Sequence, residues 1–347
     1  MSLKFIEGIQ PSPPDYRDYI STAYIPTDTS LPPQGVAWDE KYPAVFDQKQ
    51  YGTCAGQMGA GLKCIHEAHE GYVPQGGMSA LFAYTMAKKY DGIPNTEGTY
   101  IRTVYRILQE FGVCSEKLLP YSLLTNVKKL PQINQQMLSE AQNFRVNTYM
   151  MIPNRNINNI KQALLYSPVG IGVFVTDSFM FPEKGGFVNK MNGSMYGWHA
   201  VLIVNYFDNM THTYLDGKTY KGFFKVRNSW SSAWGDKGYC YIPYDIFYQV
   251  LDVGMPFCCE AWMSEDARSI KPEPQKLHRV QVGAFKIKEN ATKLSVQLKE
   301  KGFPIYIPPQ GKDGFWRVQV GAYAIRKNAE NMKIKLVKNG FKDAFIV

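Results

Sequence analysis

The chain has 347 residues, 45% apolar and 14% aromatic, enough for one large domain and a smaller companion. No stretch approaches the roughly 18 uninterrupted apolar residues of a membrane span, and Met1-Ser2-Leu3-Lys4-Phe5-Ile6-Glu7 lacks the apolar centre of a secretory signal. The net charge of +9 resides in the tail, where 14 Lys and Arg stand against 5 Asp and Glu from Leu277 onward, so the tail reads as a second unit that meets anions.

Residues 1–30 read as an extended arm, because the prolines of Pro11-Ser12-Pro13-Pro14 confine themselves and their predecessors to extended backbone. Packing of the arm on the body is expected, with a lid across a cleft as the alternative. The body spans 31–263. A helix is expected from Thr53 to about Glu70, a second around Ser79–Tyr84, and a third where Ile101, Val104, Tyr105 and Leu108 recur at helical spacing before Gly112. From Pro168 the pattern turns to strands, at 169–175, 199–206, 222–227 and 238–243, separated by turn residues. The body is therefore of the α+β class, a helical half followed by an antiparallel β half.

Residues 264–276 alternate charge and proline and read as an exposed linker. The tail, 277–347, repeats Arg279-Val280-Gln281-Val282-Gly283-Ala284-Phe285 as Arg317-Val318-Gln319-Val320-Gly321-Ala322-Tyr323. Each copy precedes a helix-like segment, 289–301 and 327–339, and then a short strand. That is a small βαββαβ ferredoxin-like domain. Alternation turns Val280, Val282, Val318 and Val320 towards the helices and leaves Arg279, Gln281, Tyr306, Phe315, Arg317 and Gln319 on the open face. Such a face suits stacking on sugar rings and hydrogen bonds to their hydroxyls. An RNA-binding reading lacks the Gly-Phe-Gly-Phe pattern, so no nucleic-acid partner is expected.

The chemistry concentrates in three segments. Gln48 precedes Cys54 by six residues, His199 lies in Gly197-Trp198-His199-Ala200, and Asn228 opens Asn228-Ser229-Trp230. A thiol at a helix start is favoured as the anion, an imidazole can exchange protons with it, and a carboxamide can hold the imidazole. The Gln48 amide and the Cys54 backbone N–H would receive a developing oxyanion. His66 and His69 stand three apart, not the four a zinc helix requires, and are expected on a solvated face. Gly52, Gly56, Gly59 and Gly61 lack the Gly-Lys-Ser/Thr end of a phosphate loop and suit close helix packing. No metal set and no cofactor is expected. The six cysteines form no CxxC pair and are expected to be reduced.

The order Gln, Cys, His, Asn over residues 11–263 resembles the papain family, bacterial members above all. That resemblance implies a two-lobed cysteine peptidase with Cys54, His199, Asn228 and Gln48 as catalytic groups. It further implies Gly98, Thr99, Tyr100, Ala200 and Trp230 as substrate-binding residues, with Trp230 also resembling the family indole that shields the His–Asn bond from water. Glu97 stands where the family has a second Gly, Ala55 where it has an aromatic residue, and Tyr51 where many relatives have a disulfide cysteine. The tail resembles a SPOR domain, which implies peptidoglycan glycan strands as its partner. The combined expectation is a peptidase made in the cytoplasm and acting on peptide or protein substrates at the bacterial wall, in sporulation or phage release. The rival expectation is an inactive scaffold on the same fold.

Overall fold

The computed structural model describes residues 8–26, 31–153, 156–189, 193–251, 254–267, 278–311, 313–323 and 326–347. The expectations for Met1–Glu7 and for residues 268–276 of the linker lie outside the described residues. The chain divides into two compact units, Met1–Tyr19 with Ser30–Ser269, and Ile20–Thr29 with Ile270–Val347. Among the described residues no helix is long and apolar enough to cross a membrane.

The first unit is built around α1, Cys54–His69, which is buried over nearly its whole length. Its glycines allow that burial: a Cβ on Gly56 would lie 2.6 Å from the Cβ of Tyr84. The helix α2, Ala80–Tyr90, starts where Ser79 Oγ accepts the Phe82 N–H. Then come α3, Ile101–Glu110, α4, Gln135–Ala141, and α5, Ile157–Ala163, the last two capped by Asn134 and Asn156. Six strands follow the order β1-β6-β2-β3-β4-β5, all antiparallel: β1 Val146–Met151, β2 Val169–Thr176, β3 Met195–Thr213, β4 Thr219–Arg227, β5 Tyr239–Pro243 and β6 Cys258–Asp266. Two single turns, α6 (Asp177–Met180) and α7 (Tyr244–Phe247), follow β2 and β5.

Sequence periodicity missed β1 and β6, and Ser264-Glu265-Asp266 belong to β6 rather than to a linker. Their charges disguise a strand because each finds a partner. Asn147 Nδ2 donates to Glu265 at 3.0 Å, and Asp266 pairs with Lys63 at 2.8 Å. Lys63 is fully buried on α1 and also pairs with Glu67 at 2.8 Å. His66 is buried too, not on a solvated face, with Nε2 3.1 Å from Ser167 Oγ and Nδ1 3.3 Å from Asp266. His69 packs on Trp38. Lys63→Met removes the cation that buried Glu67 and half-buried Asp266 share. It should cost about 3–5 kcal/mol in urea unfolding, and a loss within ~0.5 kcal/mol would deny this cluster a structural role.

The second unit comprises β7 (His278–Phe285), α8 (Lys288–Glu300), β8 (Ile305–Tyr306), β9 (Trp316–Tyr323), α9 (Arg326–Lys338) and β10 (Phe345–Ile346). Its antiparallel sheet has the order β10-β7-β9-β8. Val280, Val282, Val318 and Val320 meet Ala291, Leu298, Ala329 and Leu336 of the helices in one core, as the repeat predicts.

Candidate active site

Cys54 opens α1, and His199 lies on β3, paired opposite Val173 of β2. The two elements pack together, and the Ala200 N–H donates to Cys54 Sγ at 3.4 Å. Asn228 follows the end of β4, the neighbour of β3. Its Oδ1 lies 2.7 Å from His199 Nε2, which must carry the proton because a carboxamide oxygen only accepts. His199 Nδ1 has no hydrogen-bond partner among the described residues, one residue before the Ala200 N–H that binds Cys54 Sγ. The Trp230 ring stacks on the imidazole at 4.6 Å, and Phe179 packs edge-on against both. Trp230 therefore covers the imidazole.

Gln48 is joined to the same constellation. Its Oε1 accepts from Ser229 Oγ at 2.7 Å, its Nε2 donates to Tyr51 O at 3.0 Å, and its N–H bonds Ser229 O. One Nε2 proton remains for a ligand oxygen. Thr53, just before Cys54, shares a 2.6 Å hydrogen bond with Tyr121, whose hydroxyl also reaches Gln48 O at 2.9 Å. Ser229 enters the sequence reading only as part of Asn228-Ser229-Trp230, and nothing in the local pattern marks Phe179 or the hydroxyl role of Tyr121, because each acts through a partner remote in the chain.

The cleft beside these groups is filled by the chain's own arm. Ile9 forms a parallel bridge with Thr99; its N–H donates to Trp198 O at 3.3 Å, and the Gln10 N–H donates to Thr99 O at 3.3 Å. A Cβ on Gly98 would lie 3.1 Å from the Gly8 carbonyl, so a glycine here lets a second backbone come close. Ile9 is 1% exposed, and its Cδ1 would meet a Cβ on Gly172 at 2.9 Å. Gly172 pairs with Ala200 across β2 and β3, and Cys259 and Glu260 flank it. Ala200, expected among the substrate-binding residues, is thus paired with Gly172, against which the arm's isoleucine packs. A glycine inside a strand signals such an approach. Thr99 contributes its backbone; Tyr100 caps α3. Glu97 receives the Gly52 N–H at 3.2 Å instead of facing an open subsite.

The arm therefore does both things expected of it as alternatives. Residues 8–10 occupy the cleft, while the following stretch packs on the body. There the Ser12 N–H bonds Glu260 at 3.1 Å, and Arg102 holds Asp18 at 3.1 Å.

Electrostatics follow from this filling. Cys54 and His199 are both fully buried. Burial pushes the Cys54 thiol up to about 12 and the His199 imidazole down to about 4. In this closed form the pair is neutral, not the thiolate that the sequence led us to expect, because water is excluded from the charges. A proton count gives the pH dependence. Between about 6.5 and 4 the unfolded imidazole takes a proton that the folded one refuses. Stability then falls as pH falls through that window, by about 3 kcal/mol for this group at pH 4. His66, also held near 4 by burial, acts in the same direction. His199→Gln should flatten the acid limb of a Tm-against-pH curve, and an unchanged limb would contradict the neutral buried imidazole.

In the second unit Tyr306 is 52% exposed, Arg279 is exposed, and Phe315 lies under the Lys286 ammonium at 5.7 Å. Arg317 is engaged by Asp313 at 3.0 Å, which holds that carboxyl at about 2. Gln281 and Gln319 face each other across β7 and β9 but are buried, contrary to an open face. All six cysteines are free thiols.

Residues 85–250 match the family described as papain family cysteine protease, and residues 274–347 match the SPOR domain. The stretch 85–250 is thus similar to papain family cysteine proteases. The matched stretch contains His199 and Asn228; Gln48 and Cys54 precede it and join the site through the contacts above. An uncharacterized peptidase C1-like protein of Acanthamoeba polyphaga mimivirus is 30% identical over 212 residues, 57% of this chain and 64% of that protein. Falcipain-3 of Plasmodium falciparum is 28% identical over 167 residues, 46% of this chain and 32% of that protein. The chain thus spans less than two thirds of these relatives. Xylellain, a cysteine protease from Xylella fastidiosa, superposes with a TM-score of 0.63 at 25% identity, over 76% of this chain and 97% of that one.

Proposed function

We propose that the first unit is a thiol peptidase in a closed, arm-filled state and that the SPOR unit delivers it to bacterial peptidoglycan. The observation that carries the first part is the 2.7 Å His199–Asn228 bond, which leaves Nδ1 unpaired one residue before the Ala200 N–H that binds Cys54 Sγ. Once the arm is displaced, Cys54 Sγ attacks a peptide carbonyl carbon while its proton passes to His199 Nδ1. Negative charge on the carbonyl oxygen meets the Gln48 Nε2–H and the Cys54 N–H. The carbon–nitrogen bond breaks as His199 returns the proton to the leaving amine, giving a thioester. Water, deprotonated by His199, then releases the acid and restores the thiol.

The family match of the tail, its basic balance and the exposed Tyr306 support glycan strands stripped of stem peptides as the wall ligand. Binding there raises the effective concentration of peptidase at wall-bound substrate. A cleft bordered by backbone groups of Gly98, Thr99 and Trp198 suits an extended peptide, so wall-associated protein is favoured over stem peptide. The test digests purified cell walls with arm-displaced protein and identifies new amino termini by mass spectrometry, with Cys54→Ala alongside. Equal products from Cys54→Ala would leave the inactive wall-binding scaffold as the function.

A further inference from the structure

The sheet face turned away from α8 and α9 is already covered over its two central glutamines. Gln319 lies between Val318 and Val320, whose side chains enter the core beneath the helices, so alternation sends the glutamine to the other face. Gln281 sits likewise between Val280 and Val282. Glutamine on an open sheet face is ordinarily solvated, yet Gln281 and Gln319 are only 7% and 8% exposed. Residues Ile20–Thr29 belong to this same unit, and their short turn Ser21–Ala23 packs on β9. The helices hold one side of β9, which assigns the turn to the glutamine side. The segment is compact: the Tyr24 and Ile25 N–H groups both bond Ser21 O at 2.9 Å, Ser21 is fully buried, and Ile25 is 7% exposed.

We propose that residues 20–26 mask the glycan face of the SPOR sheet and that glycan and arm compete for it. The inference rests on the glycan-binding reading of the tail. The masking segment is tethered, so an effective concentration on the order of millimolar lets even a weak contact hold. Glycan then sees only the fraction of molecules in which the face is bare, and its apparent affinity falls by that fraction. Tyr306, half exposed on the edge strand β8, remains available as a first contact. Displacing residues 20–26 leaves the cleft filled, because Ser12–Glu260 and Arg102–Asp18 clamp the stretch between the two arm contacts. Wall binding and cleft opening are therefore separate events.

The test uses the full chain and its Ser21→Arg/Ile25→Arg variant, two bulky cations that a buried turn cannot seat. Both are titrated against amidase-stripped peptidoglycan in a pelleting assay. Hydrogen exchange is followed at the amides of Tyr24 and Ile25. The variant should bind at least fivefold more tightly, and stripped glycan should speed exchange at both amides of the wild-type chain. Turnover of a fluorogenic peptide should stay unchanged on adding glycan. Equal affinity of the two proteins, or glycan binding with protected amides, would overturn the masking. Failure of both proteins to pellet above their level with intact sacculi would refute the glycan reading of the tail and this inference with it.

Discussion

Ile9→Asp is expected to raise both peptide turnover and alkylation of Cys54 by iodoacetamide at pH 7, by about two orders of magnitude. The isoleucine side chain is 1% exposed against Gly172, Cys259 and Glu260, and removing that apolar burial costs the closed state roughly 2–3 kcal/mol. The replacement adds a second carboxyl beside Glu260, whose own pKa burial already raises. Residues 12–18 keep their own anchors, so the body stays folded while residues 8–10 leave. Alkylation separates access from catalysis. If the thiol of Ile9→Asp reacts no faster than that of the native chain, the arm is not what closes the site. Faster alkylation without turnover would instead show an open but inactive cleft.

In the arm-displaced background, Gln48→Ala should lower kcat by roughly 10²–10³ with KM little changed. The residue meets the substrate oxygen only when charge develops there, so its loss spares ground-state binding. Its amide is fixed from both ends, by Ser229 Oγ at 2.7 Å and Tyr51 O at 3.0 Å, and therefore donates without reorganising. Ser229→Ala loosens that hold and should cost about tenfold, close to the price of one neutral hydrogen bond. A Gln48→Ala enzyme that loses affinity but keeps kcat would place Gln48 in substrate binding rather than in charge stabilisation.

Much of this was legible in the chain. The strictly repeated Val-Gln-Val of the tail dictated its core because valines two apart must share a face. The glycines of α1 announced a helix that others would crowd, and Gly112 ended α3 as expected. Gln48, Cys54, His199 and Asn228 were picked out by residue type and order, and the folded chain brings them to one site. β6 was not legible, because Glu265 and Asp266 look solvated until Asn147 and Lys63 are known to face them.

The sequence by itself determined which groups carry reactivity, since thiol, imidazole and carboxamide chemistry belongs to the residue types. It marked the tail domain as well, because periodicity and charge change where that stretch begins. Only the tertiary structure decided the state of those groups. Protonation depends on how much water reaches a site, and here residues distant in the chain exclude it. The same holds for the arm. Its prolines make it extended, but which surfaces an extended segment covers is set by pockets that exist only once the chain has folded.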